Sequence, residues 1–120
     1  MDPLLAGLND AERERLWDFF GHDRERLITR VMIGRGETCV RQVQREFQQK
    51  ANGFITLSTS SLYSILDDMK ALHLIRLLRE ESVGGRGRKR RYYAVTDLGK
   101  AALREYEAAT AHLRQPVSGS

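Results

Sequence analysis

Apolar positions recur at helical spacing in five segments of this chain, with one stretch of extended character between the fourth and the fifth. In the first segment Leu16, Phe19 and Phe20 precede Gly21, and Asn9 followed by Glu12 has the form of a capping box, which predicts a helix over 10–20. The second places Leu27, Ile28, Val31 and Met32 on one face, with Asp23 as the expected N-cap and Gly34 and Gly36 as the stop. The third runs from a Thr38 cap through Val40, Val43 and Phe47, its Arg and Gln residues facing outward, and closes at Asn52-Gly53, a pair suited to left-handed backbone. The fourth has the clearest pattern: after Ser58, a good N-cap, Leu62, Ile65, Leu66, Met69 and Leu72 fall within an arc of roughly 120° at about 100° per residue.

Leu74 to Arg79 is more extended in character, Arg91 to Thr96 is aromatic and β-branched, and Gly84-Gly85-Arg86-Gly87 lies between them, so the pair is predicted as a β-hairpin. Thr96 then caps a last helix with a stripe of Leu98, Ala102, Tyr106, Ala109 and Leu113, before a polar tail. The fold class that follows is mainly α with a small β-hairpin, a winged helix-turn-helix flanked by an N-terminal and a C-terminal helix. Its expected divisions are a helical extension over 1–22, a winged-helix unit over 23–96, a C-terminal dimerisation helix over 97–114 and a disordered tail over 115–120. In that architecture the last helix before the ribbon enters the major groove of DNA and the ribbon tip reaches adjacent phosphates.

Charge sharpens this picture. The 120 residues carry a net +4, and Arg86, Arg88, Lys89, Arg90 and Arg91 alone supply +5, so the rest of the chain sums to −1. Clustered cations displace counterions from phosphates where a dispersed excess does so poorly, and the wing is therefore the expected contact surface. On the fourth helix the direction opposite the apolar arc holds Ser60, Ser64, Asp67 and Ala71, with Tyr63 on the flank. Small hydroxyl side chains let a helix approach base edges closely, and the helix N-terminus near Thr59, Ser60 and Ser61 suits a phosphate. The candidate DNA contacts are thus Thr59, Ser60, Ser61, Tyr63 and Ser64 on the helix and the five cations of the wing. Asp67 would repel the backbone unless it accepts from a cytosine amino group or pairs with Lys70, three residues on.

Other chemistry is thinly represented. Cys39 is the only cysteine, which excludes an internal disulfide and a cysteine-based zinc site within one chain. His22, His73 and His112 have no ligand spacing among them, and the Gly-Arg loop lacks the Gly-Lys-Ser/Thr ending of a phosphate-binding loop. No catalytic residue, metal or cofactor is expected. No apolar run approaches the roughly 18 residues of a membrane span, and the first residues do not read as a secretory signal, so a cytoplasmic protein is expected.

Two blocks resemble the PadR-like family of winged helix-turn-helix transcriptional regulators. Leu62-Tyr63, Ile65-Leu66 and Leu74-Ile75 follow the family's recognition segment, and Arg90-Arg91-Tyr92-Tyr93 with Thr96-Asp97-Leu98-Gly99 follow its basic pair, two tyrosines and Thr-x-x-Gly. The blocks span residues 57 to 103. The resemblance implies a homodimeric repressor on double-stranded DNA, a C-terminal helix that helps make the dimer, and often a small-molecule effector or stress signal that releases DNA. The chain departs from the family at Ser60-Ser61, at His73 where a glycine usually closes the recognition helix, and at Asp67-Asp68 where a basic pair is frequent. The drug-binding aromatic of some short members is not carried over, since the late positions here are Ala108, Ala109, Thr110 and Ala111.

The stripe Leu98, Ala102, Tyr106, Ala109 and Leu113 would bury poorly against one domain alone, which makes it a reasonable dimer surface. Packing on the chain's own Leu16, Phe19 and Phe20 is the other outlet, and both contacts can coexist across two subunits. Because the helix face is not basic, two further readings stay open: a non-specific nucleic-acid binder acting through the Gly-Arg wing, and a winged helix that binds an acidic protein partner.

Overall fold

The computed structural model describes residues 2–85 and 87–114, with side chains to residue 111; Arg86, the Leu113 side chain and the tail over 115–120 lie outside the described residues. Six helices and one hairpin run in the order α1 (Pro3–Ala6), α2 (Asp10–Phe20), α3 (Asp23–Arg35), α4 (Val40–Ala51), α5 (Thr59–Ala71), β1 (Ile75–Ser82), β2 (Lys89–Val95) and α6 (Asp97–Arg114).

Local chemistry sets most of the boundaries. In α2 the capping box is complete, with Glu12 N–H donating to Asn9 Oδ1 at 2.8 Å and Asn9 N–H to Glu12 Oε1 at 3.0 Å. The short α1 was not foreseen; Pro3 opens it and Asp2 Oδ1 accepts from Leu4 N–H at 2.9 Å. The N-cap of α3 is His22 and not Asp23, which sits inside the first turn and pairs with Arg26. An acid there favours the helix dipole without capping it. The helix runs through Gly34 and stops at Gly36, whose φ is 77°.

Thr38 does not cap α4 either. Its backbone is extended and exchanges two hydrogen bonds with Tyr93 of β2, at 3.0 and 2.8 Å, so it serves as a one-residue third strand. The cap falls to Cys39, whose N–H donates to Gln42 Oε1 at 3.3 Å. Asn52 and Gly53 close α4 with φ of 51° and 79°.

Ser58 caps α5 as expected, its Oγ accepting from Ser61 N–H at 3.1 Å. At the other end His73 takes the left-handed conformation, φ 59°, that glycine would adopt more readily. His73 N–H reaches Lys70 O and Leu74 N–H reaches Met69 O, at 3.0 and 2.8 Å, which satisfies carbonyls of the last turn and ends the helix.

The hairpin is longer than its sequence pattern suggests. The antiparallel register pairs Ile75 with Val95 and Ser82 with Lys89, with a bulge between Leu77 and Arg79. Strand β1 thus takes in Glu80, Glu81 and Ser82, and β2 begins at Lys89. Beyond it, Thr96 Oγ1 donates to His73 O at 2.6 Å and accepts from Gly99 N–H at 3.0 Å, tying the end of α5 to the start of α6. Gly99 has no room for a side chain: a Cβ there would lie 2.5 Å from Leu74 O and 2.7 Å from Val95 Cγ1. The Thr-x-x-Gly sequence is therefore a hydroxyl cap followed by a close approach of helix to strand.

One apolar cluster joins these elements. Phe20, Ile28, Met32, Phe47, Leu62 and Met69 are fully buried within it, α5 contributing the arc foreseen from its spacing. From α6, Ala102 and Leu103 enter the same core, and the Tyr106 ring meets Trp17 edge-on at 5.3 Å and lies 6.2 Å from Phe20. With one face of α5 buried and its end fixed to α6, the opposite face is held toward solvent beside the hairpin. Among the described residues, no helix is long and apolar enough to cross a membrane.

Candidate nucleic-acid interface

The first turn of α5 is held from two sides. Gln44 of α4 donates from Nε2 to Leu57 O at 2.9 Å, and its Oε1 accepts from Thr59 Oγ1 at 3.4 Å. The hydroxyl of Ser61 accepts from Ser58 Oγ at 2.8 Å, and Ser61 is half-buried, so it belongs to the cap more than to the presented face. Ser60, Tyr63 and Ser64 are exposed, and Tyr63, a large aromatic left 53% exposed, is the most prominent of the three. Asp67, whose charge stood against groove entry, is paired with Lys70 at 3.2 Å. The Lys70 ammonium also lies 5.8 Å from the centre of the Tyr93 ring, which brings this helix against β2.

The wing cations are placed differently from the sequence expectation. Lys89, Arg90 and Arg91 lie in β2, and of the described cations only Arg88 belongs to the turn. The turn is closed by Val83 N–H donating to Arg88 O at 2.9 Å, with Gly84 and Gly87 at positive φ. The physical reason is that the turn closes between Val83 and Arg88, which carries the ladder out to Ser82 and Lys89 and sets Glu80 opposite Arg91 and Glu81 opposite Arg90. Glu80 pairs with Arg91 at 3.3 Å and with Lys89 at 3.6 Å, whereas Arg88 and Arg90 have no ion pair among the described residues. Arg79, on β1, lies 4.0 Å over the Tyr92 ring and pairs with Glu37 and Glu81.

These elements enclose a cleft of about 740 Å³. One wall is Arg88, Lys89, Arg90, Arg91 and Tyr93 of the wing; the other is Thr59 and Tyr63 of α5 with Arg41 and Gln44 of α4. The structure thus brings together six of the expected contacts, while Ser60, Ser61 and Ser64 lie outside the cleft lining. Arg41 and Gln44 were missed by the sequence reading. A signal for Arg41 existed: it occupies the first turn of α4, where a cation opposes the helix dipole and gains nothing structurally.

Of the α6 stripe, Ala102 is enclosed by its own chain, Leu98 is half-buried, Tyr106 meets Trp17 edge-on, and Ala109 is exposed; the Leu113 side chain lies outside the described residues. A second, apolar groove of about 350 Å³ runs between α1, α2 and α6, lined by Leu5, Leu16 and Trp17 with Arg13, Glu14 and Glu105. Among the described residues, no group of three or more His, Cys, Asp or Glu is arranged to hold a metal ion.

The family model for the PadR-like transcriptional regulators matches residues 31–105, from within α3 to within α6. The chain belongs to the PadR-like family of transcriptional regulators. It is a regulator of winged-helix fold and not an enzyme. Solved structures agree in fold. Bacillus subtilis PadR, in complex with operator DNA, superposes with a TM-score of 0.59 at 19% identity, over 79% of this chain and 50% of that one. A transcriptional regulator from Clostridium thermocellum gives 0.59 at 18% identity over 78% and 91% of the two chains, and Pex from Synechococcus gives 0.53 at 18% over 86% and 97%. The chain spans about half the length of the Bacillus PadR. No curated protein matches the chain in sequence.

Proposed function

We propose that this PadR-like regulator binds double-stranded DNA as a homodimer and acts as a repressor at an inverted-repeat operator, in the cytoplasm. The observation that carries the reading is the cleft, in which the exposed N-terminal half of α5 and four wing cations face the same space. A helix presenting Ser60, Tyr63 and Ser64 can enter a major groove, while Arg41, Arg88, Lys89, Arg90 and Arg91 are placed for the backbone on either side. The pairing of Asp67 with Lys70 supports groove entry by removing an unpaired negative charge from that face.

For the dimer, the support comes from the α1, α2 and α6 side. Leu4 is 48% exposed there, next to the groove lined by Leu5, Leu16 and Trp17, and Ala109 continues the free edge of α6. A second copy covering this side uses less of the stripe on α6 than its periodicity suggests, because Ala102 and Tyr106 are already engaged within the chain.

Selection of bound duplexes from a random pool, with light scattering on the free protein, tests the reading. The expected result is a dimer and a pseudo-palindromic consensus with half-sites about 34 Å apart or a multiple of that. Bound duplexes with no consensus would point to a wing-only binder of nucleic acid, and a monomer would remove the inverted repeat.

A further inference from the structure

The wing divides its cations into two sets. Strand alternation puts Lys89 and Arg91 on one face of β2 and Arg90 on the other. Glu80, across the ladder from Arg91, reaches both cations of the first set, at 3.3 and 3.6 Å. Lys89, Arg90 and Arg91 line the cleft, and Glu80 does not. Both bridges are open to water, the Lys89 and Arg91 side chains being 60% and 57% exposed, and exposed pairs of this kind contribute little to folding. Nor does the register depend on Glu80, since buried Ile75, Tyr93 and Val95 and the closed turn already set it. A carboxylate outside the cleft lining, bonded to two cations within it, is better explained by what those cations meet there.

We propose that Glu80 is an internal competitor of phosphate for Lys89 and Arg91 and so sets how tightly the wing holds a duplex. The proposal rests on the reading of the cleft as a duplex-binding face. On random DNA, the two cations stay on Glu80, and the backbone is held by Arg88 and Arg90. On the operator, α5 seated in the groove draws the wing close enough for phosphates to displace the carboxylate. Wherever Lys89 and Arg91 reach phosphate they must first leave Glu80, so the carboxylate lowers affinity for both duplexes and costs the operator, where those contacts are strongest, at least as much as random DNA.

The test compares the wild-type chain with Glu80→Gln and Glu81→Gln on two duplexes, one selected from a random pool and one of random sequence, across a salt series. Both substitutions add one positive charge, but Glu81 pairs with Arg79 and holds neither Lys89 nor Arg91. With log K falling by about 0.9 per phosphate contact per decade of salt, freeing two cations steepens the random-duplex slope of E80Q by about 1 to 2. Its affinity there rises about five- to thirtyfold at roughly 0.15 M salt, the selected duplex gains at least as much, and E81Q changes binding by under about twofold. Glu80→Asp, which keeps the charge and shortens the reach, falls between wild type and E80Q.

An E80Q protein that binds both duplexes like wild type, or that gains on random DNA and not on the selected duplex, overturns the proposal. So does an E81Q protein that matches it, since net charge alone would then account for the change. Should E80Q fail to fold, Glu80→Asp decides by the same comparison. A wild-type chain that binds neither duplex sinks the reading of the cleft and this proposal together, whereas wild-type binding with unresponsive Glu80 variants sinks this proposal alone.

Discussion

Replacing Gly99 with Ala sets two effects of opposite sign against each other. In a helix free of close neighbours, Gly to Ala stabilises by up to about 1 kcal/mol, because alanine loses less backbone entropy. At this position the added methyl would stand 2.5 Å from Leu74 O and 2.7 Å from Val95 Cγ1. Leu74 O cannot retreat freely, since it accepts from Thr96 N–H at 2.9 Å, and the first turn of α6 is fixed by the Thr96 hydroxyl to His73 O. Reaching ordinary contact requires α6 to withdraw from the hairpin by about 0.9 Å. Overpacking of this kind costs about 1–3 kcal/mol, and loss of one cap hydrogen bond adds about 1 kcal/mol. The clash wins, and Gly99→Ala is expected to destabilise by about 2 kcal/mol, or roughly 8 °C in Tm for a domain of this size. Urea unfolding followed by far-ultraviolet circular dichroism measures it. A variant as stable as wild type, or more so, would refute the close docking of α6 on β2.

Three further substitutions test other parts of the account. His73→Gly relieves a left-handed residue with φ of 59° and should raise stability by about 0.5–1 kcal/mol in the same urea assay. Replacing Arg88 and Arg90 together with Ala removes the two described wing cations that have no ion pair. The slope of log K against log salt should fall by about 1.8, with roughly 30-fold weaker binding at about 0.15 M salt on any duplex. Ser64→Leu, on the exposed face of α5, should change the consensus recovered from a random pool while leaving the salt slope intact. An unchanged consensus with a shifted slope would assign this face to the backbone instead.

What was legible in the sequence was what neighbouring residues decide among themselves. The Asn9–Glu12 box, the Ser58 cap and the arc from Leu62 to Met69 all stand where spacing put them, because each depends on groups within one or two turns. Thr38 was misjudged because its partner, Tyr93, is 55 residues away, and its extended backbone is a tertiary choice. Glu80 to Ser82 read as loop because charge depresses strand propensity, yet on this ribbon the charges meet their opposites across the ladder. At four residues, α1 is too short to show a period.

The site divided along the same line. Clustering in the sequence was enough to single out the wing, but not to show that Glu80 engages two of its cations. Periodicity gave α5 a buried and a presented face. It could not show which part of that face the wing closes over, or that Arg41 and Gln44 line the other wall, since that depends on how α4 crosses α5. The α6 stripe was read as one surface, and the core divides it: Ala102 and Tyr106 turn inward and Ala109 stays out.

In the proposed function α5 and the wing act together on a duplex, one reading sequence and the other holding phosphate. Titration of a pool-selected duplex and a random duplex, each at about 50 mM and 200 mM salt, tests it most directly. The account predicts a preference of at least about 10³ for the selected duplex that persists at the higher salt, while affinity for both duplexes falls steeply. Equal affinity for the two duplexes at both salt concentrations would contradict it and leave the wing as a non-specific cationic ribbon.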